Sequence, residues 1–230
     1  MQRSVAYRHR ALVDFFGFEE APPVAERRLL KVVQRPTPLH SFLHGIATFL
    51  MLPEAPEIAS FIAGKVFHRL GGSGRIRSSS FVQPAPPGVS GAISILAKHN
   101  PIFRDLAANL AMFVDDLAWT RGRTGPYASL NFDRNHALAT ICGRHGLEER
   151  ADVSIGLVFM EAYSRLPDHT QERNRAFLFL SNAQFSAGDE PWCQASIGTV
   201  IANEIGRSFA VRCTAEPMLM LWCQSEQGRS

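Results

Sequence analysis

Two histidines, His40 and His44, stand four residues apart in the segment TPLHSFLHGIATFL. On a helix that spacing projects both imidazoles from one face, which is how a helix offers two nitrogen ligands to a metal such as zinc. A metalloprotease pattern would place glutamate beside the first histidine, and here Ser41 stands there. A third ligand has to come from elsewhere, with His68, Asp115 and Asp116 as the candidates. A metal-dependent hydrolase using His40 and His44 with Asp115 and Asp116, in which a metal-bound water attacks the substrate, is one functional expectation. Two helix histidines, one packed and one exposed, are the simpler reading.

Asp115 and Asp116 fall near the C-terminal end of a helix expected over Ile102 to Trp119, where the helix dipole disfavours adjacent carboxylates. Arg121 and Arg123 follow closely and would compensate by salt bridges. A bound cation, or general acid–base work by a carboxyl raised by burial, is the functional alternative. Cys142 lies in Ile-Cys-Gly-Arg-His with His136 and His145 nearby, but its apolar context and its place at a helix end point to a buried structural thiol. Asp133 reads as a helix N-cap.

The segment GGSGRIRSSS from Gly71 could hold an anion, since glycines let backbone N–H groups approach a phosphate and Arg75 and Arg77 add charge-assisted bonds. It lacks the Lys-Ser/Thr of a phosphate-binding loop and the glycine spacing of a dinucleotide fold. A solvated linker is the plainer reading. Arg27, Arg28 and Lys31 would extend a basic face, making phosphate or nucleic-acid binding a third expectation.

The elements that must position these groups follow from punctuation. The chain has 230 residues, 46% hydrophobic and 20% charged, enough for a sizeable core and ordinary for a globular protein. The net charge of +3 is mild, and nucleic acid is not favoured as a partner. Prolines divide the chain into segments of helical length, and proline opens helices more readily than it sits inside them. Stripes of apolar residues at three- and four-residue spacing predict helices over Val24–Gln34, Leu39–Leu52, Glu57–Leu70, Ile102–Trp119 and Leu147–Leu166. Thr37-Pro38 reads as an N-cap followed by the first helical residue. Near the end, Phe209 to Ala215 and Met218 to Cys223 suggest a hairpin turning at Glu216-Pro217, with Phe177 to Leu180 as a third strand or part of a helix.

The expected fold is therefore mainly α, a multi-helix bundle with a small C-terminal β-hairpin, with α+β as the alternative. Residues 1–70 would form a helical subdomain, 71–90 a Gly/Ser/Pro-rich linker or loop, and 91–230 a larger α-rich subdomain. The four cysteines show no C-x-x-C spacing, and no stretch approaches the ~20 apolar residues a membrane span needs, so a soluble cytoplasmic protein is expected. With no coherent catalytic constellation, the leading functional expectation is an α-rich interaction or regulatory protein without catalytic activity. Its partner would be another protein, and the cofactor is left open.

Overall fold

The structure, a computed structural model, describes residues 34–77, 84–122 and 124–226. The expected helix over Val24–Gln34, with Arg27, Arg28 and Lys31, and also Arg123, lie outside the described residues apart from Gln34, which precedes the first helix.

Helix α1 (Thr37–Leu50) and helix α2 (Glu57–Arg69) form where the apolar stripes place them. Pro36, rather than Thr37, occupies the N-cap position of α1. α2 closes at Leu70 before Gly71-Gly72. A short strand β1 (Arg75–Ile76) follows, then α3 (Pro87–Ala97) and α4 (Pro101–Ala111). The Asn100 side chain caps α4 by accepting from the Phe103 N–H at 3.0 Å.

Beyond α4 the expected helices give way to strands. The chain leaves α4 at Met112, makes one 3₁₀ turn over Val114–Asp116 and enters β2 (Trp119–Thr120). A one-turn α5 (Phe132–Asn135) leads into β3 (His136–Gly143), β4 (Glu148–Glu149) and β5 (Val153–Met160). Then come β6 (His169–Thr170), β7 (Arg175–Phe179), β8 (Ala183–Ala187), β9 (Cys193–Ala195), β10 (Val200–Asn203), β11 (Ser208–Arg212) and β12 (Met218–Ser225). One sheet runs β1-β4-β3-β5-β12-β7-β10, with β2 also on β3; the other runs β6-β11-β8-β9. The two sheets enclose a barrel-like interior, a double-sheet jelly-roll arrangement.

The expectation of a mainly α bundle is thus corrected to a fold built on two β-sheets that carries helices on one face. The physical reason lies in the large sheet, which is covered on both sides. Its outward residues, such as Ile155, Leu157, Leu178 and Leu221, pack with Phe42, Ile46, Val66 and Leu110 of the helices in one apolar cluster. Its inward residues, such as Leu138, Val158, Phe177 and Met220, pack with Phe209 and Val211 of the small sheet. A strand buried on both faces loses alternation and reads as a continuous apolar run, which helical spacing can mimic. Val153–Met160, buried throughout, is such a run.

The expected C-terminal hairpin is also corrected. β11 and β12 are strands, but β11 pairs β8 and β6 while β12 pairs β5 and β7, in different sheets. Helices from the segment expected as a separate subdomain share the outer cluster with strands reaching Cys223. Each fully buried Phe or Leu there contributes roughly 1.5–3 kcal/mol.

A buried ion cluster adds a second tie. Glu148, with no side-chain exposure, accepts from Arg35 Nε at 2.6 Å and from the Gly74 N–H at 2.6 Å, and pairs with Arg150 at 3.3 Å. Desolvation pushes its carboxyl up, but the Arg35 and Gly74 hydrogen bonds and the two guanidinium charges outweigh that, and the net effect holds it below the ordinary value. Among the described residues no helix is long and apolar enough to cross a membrane.

Candidate functional site

Because strand side chains alternate, the inward residues of the large sheet stack in rungs across adjacent strands. In register, Ile201, Phe177, Trp222, Gly156 and Thr140 form one rung across β10, β7, β12, β5 and β3. One step towards the barrel end lies a polar rung. Asn203 pairs with Arg175, Arg175 Nε donates to Gln224 Oε1 at 2.5 Å, and Gln224 pairs with Ser154. All four are buried, Arg175 to 1% exposure. The Arg175 guanidinium carbon lies 4.9 Å from the Trp222 ring centroid, a cation–π contact. Trp222 fits there because position 156 is glycine: a Cβ would lie 2.7 Å from the indole ring and from Ala139 O. Gln224 Nε2 and Ser154 Oγ both donate to Glu226 Oε1, at 2.6 and 2.7 Å, and Arg173 pairs with the other oxygen at 3.2 Å.

The small sheet supplies the opposite wall. Phe209 stacks on Phe177 with centroids 4.7 Å apart, and His169 meets Phe209 edge-on at 5.8 Å. His169 Nδ1 lies 2.9 Å from Pro167 O. A carbonyl only accepts, so Nδ1 carries the proton and Nε2 is the basic nitrogen. Gln171 follows on the same strand parity, 1% exposed, and neither its Nε2 nor its Oε1 has a hydrogen-bond partner; nor has Asn203 Oδ1. The Gln171 carbonyl accepts from Gly206 N at 3.0 Å.

His136 is buried in the barrel as well, but both its nitrogens are engaged. Nδ1 donates to Phe132 O, and Nε2 accepts from the Gly122 N–H at 2.6 Å. Desolvation, more than any other cause, holds its imidazole below the ordinary value. It is a neutral structural histidine, whereas His169 packs edge-on against the Phe209 ring.

The residues singled out in the sequence do not assemble here. His40 and His44 are exposed on α1, and Asp115 and Asp116 are exposed on the 3₁₀ turn. Among the described residues no group of three or more His, Cys, Asp or Glu is placed to hold a metal. Arg121 does not neutralise the aspartates; it donates to the carbonyls of Asp133, Arg134 and His136. Asn131, not Asp133, stands at the N-cap of α5. Arg75 faces Glu149 at 4.0 Å, and Arg77 donates to His145 O at 2.8 Å, both on the β1–β4 edge. Cys142 is buried, and desolvation raises its thiol far above the ordinary value, as a structural thiol requires.

Sequence reasoning missed His169, Gln171, Arg175, Asn203 and Gln224. The available signal was parity: Arg175 alternates with Phe177 and Phe179, so it shares their face.

A divalent metal is one group that a barrel interior can hold. Such an ion takes several imidazole, thiolate or carboxylate donors. Among the described residues the inner face offers the imidazole of His169, that of His136 with both nitrogens engaged, neutral amides, the Glu226 carboxylate bonded to Gln224 and Ser154, and a buried guanidinium beside which a second cation is repelled at low dielectric. Among the described residues the donors are not grouped to hold such a metal.

The DMSP lyase family model, described as dimethylsulfoniopropionate lyase, matches residues 81–220. A chain from the crystal structures of the DMSP lyases RdDddP and RnDddQII superposes with a TM-score of 0.60 at 13% identity, covering 84% of this chain and 94% of that one. The DMSP lyase DddQ from Ruegeria pomeroyi DSS-3 superposes with a TM-score of 0.54 at 18% identity, covering 83% and 94%. No curated protein sequence matches. The expectation of a regulatory protein without catalytic activity is overturned by the match to a lyase family, and with it the alternatives of a hydrolase and of a phosphate or nucleic-acid binder.

Proposed function

This chain belongs to the DMSP lyase family, and on that footing we propose that it cleaves dimethylsulfoniopropionate, or a close β-sulfonio carboxylate, by elimination inside the barrel. The observation that carries the proposal is the buried His169, whose tautomer puts a basic nitrogen in a chamber that also holds a guanidinium and aromatic faces. The substrate is a zwitterion with a sulfonium at one end and a carboxylate at the other. The faces of Phe177 and Phe209 suit the sulfonium, and Arg175 suits the carboxylate.

The chemistry balances without a further reactant. His169 Nε2 takes a proton from the carbon next to the carboxylate. The pair from that C–H bond forms the C=C bond, and the C–S bond breaks with its electrons leaving on sulfur. The products are dimethyl sulfide and acrylate, and His169 then returns its proton to solvent. Positive charge near the carboxylate stabilises the negative charge that develops in the transition state. A positioned base contributes about 10²- to 10⁴-fold. His169 and Arg175 are 2% and 1% exposed, so turnover includes an opening of the barrel. A cytoplasmic location belongs to the same reading: Cys142, Cys213 and Cys223 are buried thiols, suited to a reducing compartment.

The test is product analysis with the full chain and dimethylsulfoniopropionate. Headspace dimethyl sulfide and acrylate by proton NMR should appear in equal amounts, and His169→Asn should lower the rate about 100-fold or more with the circular dichroism unchanged. Absence of both products, or a His169→Asn rate equal to the parent's, would refute the proposal.

A further inference from the structure

We infer that the outer face of the small sheet carries a binding site for a small neutral polyol, on the scale of a single sugar ring. The site lies outside the barrel interior and does not rest on the lyase reading. Along β11, Phe209 and Val211 pack inward, so Ser208, Ala210 and Arg212 point outward. In register, Ser186 pairs with Ala210 and Gln184 with Arg212, which puts both on the same outer face. A cavity of about 160 Å³ lies over this face. Its lining includes Ser186, Ser208 and Ala210, whose small side chains leave the space, together with Trp192, Arg165 and Asp168.

The ligand chemistry follows from what these groups have left to offer. Arg165 Nη2 donates to Asp168 Oδ1 at 2.7 Å, with the two side chains 30% and 32% exposed, so the pair keeps atoms open to a ligand. Arg165 Nε is buried without an acceptor, which leaves the guanidinium short of partners. Ser186 and Ser208 donate to the carbonyls of Glu190 and Gly188, at 2.7 and 3.2 Å, and each hydroxyl oxygen can still accept. The guanidinium carbons of Arg165 and Arg212 lie 5.1 and 4.1 Å from the Trp192 ring centroid. A cation entering here meets two guanidiniums that already hold the indole, and an anion meets the Asp168 carboxylate. A neutral polyol meets neither repulsion. Its hydroxyls accept from Arg165 and donate to Asp168 and the serine oxygens, and its C–H face packs against the Trp192 ring. The cavity falls below the ~300 Å³ at which pockets for drug-sized ligands begin, which sets the scale at one ring.

The experiment reads binding to the full chain, and dimethyl sulfide release plays no part in it. Saturation-transfer NMR is run with glucose, galactose, mannose, xylose and myo-inositol, and separately with sodium propionate and choline chloride. At least one polyol should receive saturation. Ser186→Leu, which fills the cavity, should weaken that polyol about tenfold or more, a loss of about 1.4 kcal/mol. Asp168→Asn, which exchanges an acceptor for a donor, should weaken it too, so the inference stays testable if Ser186→Leu does not fold. Trp119 and Trp222 are 3% and 2% exposed, so emission quenched by iodide belongs to Trp192, and the bound polyol should reduce that quenching. No saturation transfer to any of the five polyols would overturn the inference. So would unchanged polyol affinity in either folded variant, unchanged iodide quenching with the polyol bound, or a propionate or choline signal that Ser186→Leu abolishes.

Discussion

Arg175 and Trp222 meet inside the barrel, with 4.9 Å between guanidinium carbon and indole centroid, on two strands of the large sheet that lie side by side. The pairing exists because Gly156, on the far side of Trp222, leaves room for the indole. Charge, aromatic face and glycine form one packed unit, and each depends on the other two.

That dependence predicts coupled losses of stability. Gly156→Ala would press a methyl against the Trp222 ring and Ala139 O and should cost about 2 kcal/mol in urea unfolding, typical of overpacking. Trp222→Ala should cost about 4 kcal/mol, in the range for a buried tryptophan. In the double variant the alanine at 156 has lost its clash with the indole, so the combined loss should be smaller than the two single losses added together. Strict additivity would contradict the packing described here.

Acid should weaken the fold in two stages. Burial holds His136 neutral below its ordinary value of 6.5. The unfolded chain therefore binds a proton that the folded chain resists, and stability falls as pH drops below about 6.5. Glu148 is held below its ordinary value of 4.5, so its contribution is intact above about 4.5 and is lost as pH falls through the lower folded value. In denaturant unfolding at a series of pH values, His136→Gln should remove the first stage and keep the second. A parent protein equally stable at pH 7 and 5 would contradict this.

Glu148 also carries weight at neutral pH. Glu148→Ala leaves Arg35 and Arg150 facing a buried gap and should cost about 3 kcal/mol, against the small effect of an exposed pair such as Arg75 and Glu149. Calorimetric unfolding of Glu148→Ala and Glu149→Ala separates the two, and equal losses would contradict the difference.

Thiol reactivity should single out one cysteine. Cys193 is exposed, while Cys142, Cys213 and Cys223 are buried. Burial pushes Cys213 up to about 11 and Cys223 up to about 12, leaving little thiolate near neutral pH. Mass spectrometry after brief iodoacetamide treatment should find one label on the native chain and four after denaturation. Rapid labelling of Cys213 or Cys223 would show that the barrel is looser than described.

Part of this architecture is legible in the residues alone. α1 and α2 show clean apolar stripes because each buries one face only, with Leu39, Phe42, Leu43 and Ile46 inside and His40 and His44 outside. β3, β5 and β12 hide their period because both faces are covered, so Ala137–Ile141 and Val153–Met160 read equally well as helix. The site is harder still. Arg175 and Gln171 look like ordinary surface residues, and only the pairing of β10, β7, β12 and β5 turns Asn203, Arg175, Gln224 and Ser154 into neighbours. His40 and His44 stand out through local spacing, whereas His169, the base of the proposed elimination, sits alone in the sequence.

The most direct measurement is the rate of dimethyl sulfide release from dimethylsulfoniopropionate by protein dialysed against chelator, beside the undialysed protein and His169→Asn. The two parent samples should release dimethyl sulfide at the same rate, and His169→Asn should fall about 100-fold or more. A rate that collapses on chelation and returns with added zinc, iron or manganese would contradict the account.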